Sequence, residues 1–284
     1  VFGIYGCAAD PEVGGNNSAP PPKVQSGQAG HTMYINFDGA TIAAAPPYDP
    51  TLGQPSTDDS SQLMSAVAHG QMLPTTADQL SADARDRIVD KVKSYYSPFD
   101  IDITTTQPTD GTPDTLVVVG NEGPDFAFGL PLPTDSTGTP VVPFGIGAFD
   151  CLNADAHEGV AFVFVDQTIP YFTGQKWADF VGRPPTPADV EKAIEVEIAH
   201  EAGHTFGLGH VDTANSIMHY FINNIVSLPN ENFLPGPWID NQKTIDACKS
   251  AVDTVGATGV DAGAVIQDPK GTLLERLGPS ATQP

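Results

Sequence analysis

Between His200 and Tyr220 the chain reads HEAGHTFGLGHVDTANSIMHY, which places three of its seven histidines and a glutamate within eleven consecutive residues. This stretch constrains the fold because a helix must lead into it and stop inside it. Upstream, TPADVEKAIEVEIAHEAGHTF offers Thr186 as N-cap, Pro187 in the first turn and Asp189 three residues past the cap. Val190, Ile194, Ile198 and Phe206 form an apolar stripe at helical spacing. His200 and His204, four residues apart, share one helical face, and two imidazoles so placed can converge on one metal ion. Glu201 stands beside the first histidine and can reach a water on that ion without being a ligand. A third ligand still on the helix would point away, so the helix has to end. Gly207 permits the positive φ of a sharp turn, and His210 returns from the loop to complete the set.

The rest of the chain reads as alternating strands and helices. HTMYINFDGATI is a strand, with Met33, Ile35 and Phe37 alternating with Tyr34 and Asn36. Residues 44–78, rich in Pro, Ser and Asp, read as a long loop with one short helix near SSQLMSAVA. SADARDRIVDKVKSYYSPF is a helix capped by Ser81, with Ile88, Val89, Val92 and Tyr95 on its apolar face and Pro98 as its stop. DIDITTT, TLVVVG at 115–120 and EGVAFVFVD at 158–166 are strands. PFGIGAFDC is a weaker one, its glycines read as bulge or edge signals. A helix near KTIDACKSAVDTV and a Gly/Ala-rich tail follow the stretch at 200–220. The expectation is an α/β layer with a partly parallel sheet. Its divisions are residues 1–7, a linker over 8–30, one domain over 31–260 and a tail over 261–284.

Composition narrows the partners. With 12 basic and 35 acidic residues the net charge is −23, and so acidic a surface repels phosphate backbones and argues against nucleic acid. No apolar run is long enough to span a membrane. Asp-rich turns such as PTDGTPD and STDDSS could take calcium, with solvated acidic loops as the alternative. His31, His69 and His157 lack ligand spacing and read as surface or hydrogen-bonded polar residues. The opening VFGIYGC, followed by a Pro/Gly/Asn/Ser tract, reads as the end of an export signal. Cys7 resembles the acylated cysteine of bacterial lipoproteins, although Tyr5 is bulky for that box; an ordinary signal or a chance cysteine is the alternative. Cys151 and Cys248 could then form a disulfide in an oxidising compartment, or remain buried thiols.

The segment His200–His210, His-Glu-x-x-His-x-x-Gly-x-x-His, resembles the zinc signature of the metzincin metallopeptidases. Ser216-Ile217-Met218-His219-Tyr220 is similar to their Met-turn, in the wording found in astacins. The resemblance implies zinc held by His200, His204 and His210, Glu201 as general base and acid, and Met218 as an apolar floor. It also implies Tyr220 as a zinc ligand at rest that moves to hydrogen-bond the oxyanion. Val211 follows the third histidine where astacins carry glutamate, and the short step from His210 to Met218 is closer to matrixins. The match is therefore to the clan.

By that resemblance the fold is a twisted mixed sheet with an antiparallel edge strand, an active-site helix, a Met-turn and a C-terminal helix. PFGIGAFDC would be the edge strand lining a cleft. The function implied is an exported, extracellular or cell-surface zinc endopeptidase, monomeric, acting on proteins or peptides. The rival is a surface-anchored binding protein with structural zinc, which would need a fourth ligand and gives Glu201 no purpose.

Overall fold

The computed structural model describes residues 30–38, 80–109, 113–120, 144–147, 159–165, 168, 183–184, 186–219, 232–239 and 265–281. Strand β1 (His31–Asn36) is followed by helix α1 (Ala82–Tyr96), then β2 (Ile101–Thr104) and β3 (Thr115–Gly120). Next come β4 (Gly145–Gly147), β5 (Gly159–Phe164) and helix α2 (Pro187–Thr205). Short strands β6 (Gly236–Pro237) and β7 (Ile266–Gln267) and helix α3 (Pro269–Leu277) complete the order.

Five strands form one sheet in the order β2-β1-β3-β5-β4. β1 pairs in parallel with β2 and β3, and β3 with β5, whereas β4 runs antiparallel to β5 at the edge. The fold is thus α/β with a mostly parallel sheet. Parallel strands covered by helices read as near-continuous apolar runs, and β5, GVAFVF, is buried from Val160 to Phe164. On β1 the alternation is visible instead: Met33, Ile35 and Phe37 enter the core while Tyr34 is half-buried.

Helix α2 lies against β5, β4 and β3 on one side and α1 on the other. Every residue from Ala193 to Thr205 is buried, so this helix is enclosed all round instead of presenting one stripe. Its polar groups consequently need partners. The Tyr95 hydroxyl of α1 donates to Glu195 Oε1 at 2.8 Å, and the Tyr96 hydroxyl to the Ala199 carbonyl at 2.9 Å. Arg87 forks onto Glu191 through two bonds of 2.8 and 2.6 Å. Tyr96 also packs edge-on against Phe99, Phe206 and Phe233, with ring centroids 5.1–6.2 Å apart. These contacts fix how far α2 can slide, and so where its C-terminal turn falls.

Two features differ from the sequence reading. The segment read as a Gly/Ala-rich tail carries α3, with Asp268 as N-cap, Pro269 in the first turn, and Leu273 and Leu277 in the core. Backbone bonds from Asp100 to Gly278 and from Ser280 to Pro98 stitch its end to the α1–β2 corner. The signals for it stand in the sequence, Asp268 as a cap before Pro269 with Leu273, Leu274 and Leu277 at helical spacing, and the sequence reading passed over them. The glycines of β4 are also more than edge signals. A Cβ on Gly147 would collide with the Glu201 carbonyl oxygen, and one on Gly145 would lie 2.7 Å from the Phe162 carbonyl oxygen. They let the edge strand press directly on α2.

Outside the described residues lie Cys7, Cys151, Cys248, His69, His157, Tyr220, STDDSS, segments 1–7 and 8–29, and the helices expected near SSQLMSAVA and KTIDACKSAVDTV. No described helix is long and apolar enough to cross a membrane.

Candidate metal centre

The site is built where α2 ends. At its start the Thr186 side chain accepts the Asp189 N–H while the Asp189 carboxylate accepts the Thr186 N–H, a reciprocal capping box. Arg183 clamps the same carboxylate at 2.7 and 2.8 Å and holds its pKa far below the ordinary range, with the Thr186 bonds adding to the effect. At the other end Gly207 adopts φ 82°, and its N–H bonds the His204 carbonyl while the Leu208 N–H bonds that of Gly203. That pair of bonds is the Schellman closure, and the positive φ favours glycine at the turn. The chain then doubles back, so His210 faces the helix it has just left.

His200, His204 and His210 are all buried, and one ligand nitrogen from each lies within 4.8 Å of the others. Ring centroids are 4.7 Å apart for His200–His204 and His204–His210, and 5.2 Å for His200–His210. His200 Nδ1 is 2.7 Å from the Ile217 carbonyl and His204 Nδ1 is 2.6 Å from the Leu208 carbonyl. A carbonyl only accepts, so each Nδ1 carries the proton and each Nε2 presents a lone pair. The two Nε2 atoms are 3.1 Å apart. Two nitrogens bound tetrahedrally to zinc at about 2.0–2.1 Å would stand roughly 3.3 Å apart. His200 and His204 therefore fit zinc, with outer nitrogens fixed by backbone carbonyls and inner nitrogens at nearly ligand separation, and His210 brings a third nitrogen within 4.8 Å.

The loop after His210 closes the site. Val211 N–H bonds the Met218 carbonyl, Ile217 N–H bonds that of Asn232, and Ser216 Oγ bonds the Leu234 carbonyl. Ile239 N–H reaches back to the His210 carbonyl. Met218 is fully buried with its sulfur packed against Gly203, the residue before His204. His31, by contrast, lies apart from this cluster and bonds Asp114 at 3.1 Å, and Asp114 also accepts the Thr32 N–H.

Glu201 is buried beside His200, and its carboxylate accepts the Gly147 N–H from β4. A second acid, Glu197, stands one turn earlier and hydrogen-bonds to it. Burial pushes both carboxyls above their ordinary range, Glu197 to about 7, and the Glu197 charge adds to the rise at Glu201. Sequence reasoning passed over Glu197 and the backbone of β4. The available signal was an acid four residues before Glu201, on the same helical face.

No family model matches the chain. Among curated proteins, an archaemetzincin from Saccharolobus islandicus is 35% identical over 66 residues, which is 22% of this chain and 36% of the relative. The chain thus spans about a third of that relative's length. Among solved structures, the archaemetzincin of Methanopyrus kandleri is similar at a TM-score of 0.34 and 16% identity, covering 80% of this chain and 98% of that one. The ECX AB5 holotoxin in its GM1-bound form gives a TM-score of 0.35 at 14% identity, over 89% of this chain and 82% of that one. What distinguishes the chain locally is a buried three-histidine cluster able to hold a metal ion, with two acids against it.

Proposed function

We propose that the chain is a zinc-dependent peptidase whose metal is held by His200, His204 and His210. The observation that carries this is the convergence of three buried histidine nitrogens at near-ligand spacing beside a buried, hydrogen-bonded Glu201. The local similarity to archaemetzincin supports the same reading. Zinc in this site would supply Lewis acidity, polarising a peptide carbonyl and acidifying a water.

The remaining work falls to the chain. Glu201 takes the proton of the attacking water at its carboxylate and delivers it to the departing amine nitrogen. The Ile217 and Leu208 carbonyls keep His200 and His204 in one tautomer and orientation. Met218 floors the cluster, and Tyr220 donates to the oxyanion. Substrates are proteins or peptides cut internally. An exported or surface-anchored location belongs to the same proposal, with Cys7 as the residue that would carry an anchor.

The test is hydrolysis of an unfolded protein by the zinc-loaded chain beside Glu201→Gln at equal metal content. Cleavage by the first alone, abolished by a chelator and restored by zinc, is the expected result. Cleavage by both variants at one rate, or by neither, removes the peptidase reading.

A further inference from the structure

Glu197 is the buried acid that the chemistry above leaves unused. Its side chain is 7% exposed and that of Glu201 5%, so both carboxyls sit in the core. Burying an acid is costly unless it finds a hydrogen-bond partner, and the partner found by Glu197 is the carboxyl of Glu201. Residues four apart on a helix lie one above the other, so this contact follows from the helix itself. From the opposite side β4 closes in. Gly147 donates its N–H to Glu201, and a Cβ at Gly145 would stand 2.5 Å from Glu201 Cγ. Glu201 is thereby gripped between its own helix and the edge strand.

We infer that Glu197 is a positioning residue, whose side chain together with the Gly147 N–H holds Glu201 in one orientation towards the reacting water. The inference rests on the reading of Glu201 as the base. What Glu197 supplies is a hydrogen-bonding partner at a fixed place, and a charge is not required. A free glutamate side chain samples many rotamers, whereas a general base works within hydrogen-bond reach of its proton. Misplacement by about 1 Å costs on the order of 100-fold in rate.

Two kinds of measurement test this. In zinc-loaded protein, Glu197→Leu keeps bulk without the bond and is expected to lower kcat by about 10- to 100-fold. KM and zinc affinity should stay within about threefold, because Glu197 is not one of the three side chains gathered to hold an ion. Glu197→Gln, which keeps the hydrogen-bonding end, should recover most of the loss; Glu197→Met replaces the leucine variant if that one does not fold.

In metal-free protein, a urea-unfolding cycle of Glu197→Leu and Glu201→Leu, each of which removes one partner's hydrogen-bonding end, reads the contact without turnover. The unfolding constant of the double variant should depart from the product of the single effects by about threefold or more. A wild-type kcat in Glu197→Leu, a loss confined to KM or zinc affinity, or an additive cycle overturns the inference. A wild-type chain that cleaves nothing removes the catalytic role along with the peptidase reading, and the metal-free cycle then separates that failure from absence of the contact.

Discussion

Gly203 offers a case in which two physical effects oppose each other and the structure decides between them. It lies inside α2, where replacing glycine by alanine ordinarily stabilises by about 1 kcal/mol. Here an added Cβ would lie 2.6 Å from Met218 Sδ and 3.3 Å from Leu208 Cδ1 and Met218 Cε. Carbon and sulfur sit comfortably at roughly 3.5–4 Å, so Met218 would have to retreat by about 1 Å. Met218 and Leu208 are both fully buried, and the sulfur is mid-chain, so there is little room for retreat. Overpacking of this kind costs about 1–3 kcal/mol, and such enclosure favours the upper half.

Gly203→Ala is therefore expected to destabilise by a net of about 1–2 kcal/mol. Urea unfolding of the metal-free protein measures it without interference from zinc. The decisive control is the same substitution in a Met218→Ala background, where the collision is gone and the sign should reverse towards stabilisation. Gly203→Ala that raises stability beside an intact Met218, or that acts alike in both backgrounds, would refute the packing argument.

Two further outcomes follow from the helix start and the N-terminal strand. Thr186→Ala should cost about 1 kcal/mol by removing the oxygen that accepts the Asp189 N–H; urea unfolding near pH 7 reads it, and an unchanged midpoint would show that Arg183 and Asp189 hold the turn alone. His31 has its pKa raised, first by its hydrogen bond to Asp114 and then by the charges of Asp114 and Asp100 and the Arg276 carbonyl, against an opposing effect of burial. A raised histidine stabilises fully below its unfolded value near 6.5 and loses that contribution as pH climbs through the folded value. Stability should thus fall from about pH 6 towards alkaline pH, and Asp114→Asn should flatten that slope relative to wild type; an identical slope in both proteins would exclude the pair as its source.

Local signals were legible wherever one residue does one job. Ser81, Thr186 and Pro187 mark helix starts because capping and a fixed φ are properties of the single residue. Gly207 marks a helix end for the same reason, since only the backbone angle is at stake. The i, i+4 spacing of His200 and His204 puts two imidazoles on one face in any helix, whatever surrounds it. Strands β1, β3 and β5 were readable from apolar and β-branched runs, although their order in the sheet was not.

What only the tertiary structure decided is everything that depends on a neighbour distant in sequence. Nothing in Gly145-Ile146-Gly147 announces that the glycines meet Glu201, because a missing Cβ has meaning only once another element fills its place. Glu197 reads as an ordinary surface acid until α2 is enclosed between the sheet and α1, after which its environment raises its pKa and Glu201 becomes its partner. Helix α3 marks its own start through Asp268 and Pro269, but that Leu273 and Leu277 enter the core and that its end is bonded to the α1–β2 corner depends on the distant partners. The sequence by itself determined which side chains could gather at a metal and where the helix carrying them must stop, both set by local geometry. The tertiary structure alone determined how the glutamate among them is held, because burial and close approach belong to pairs of elements and not to any stretch of chain.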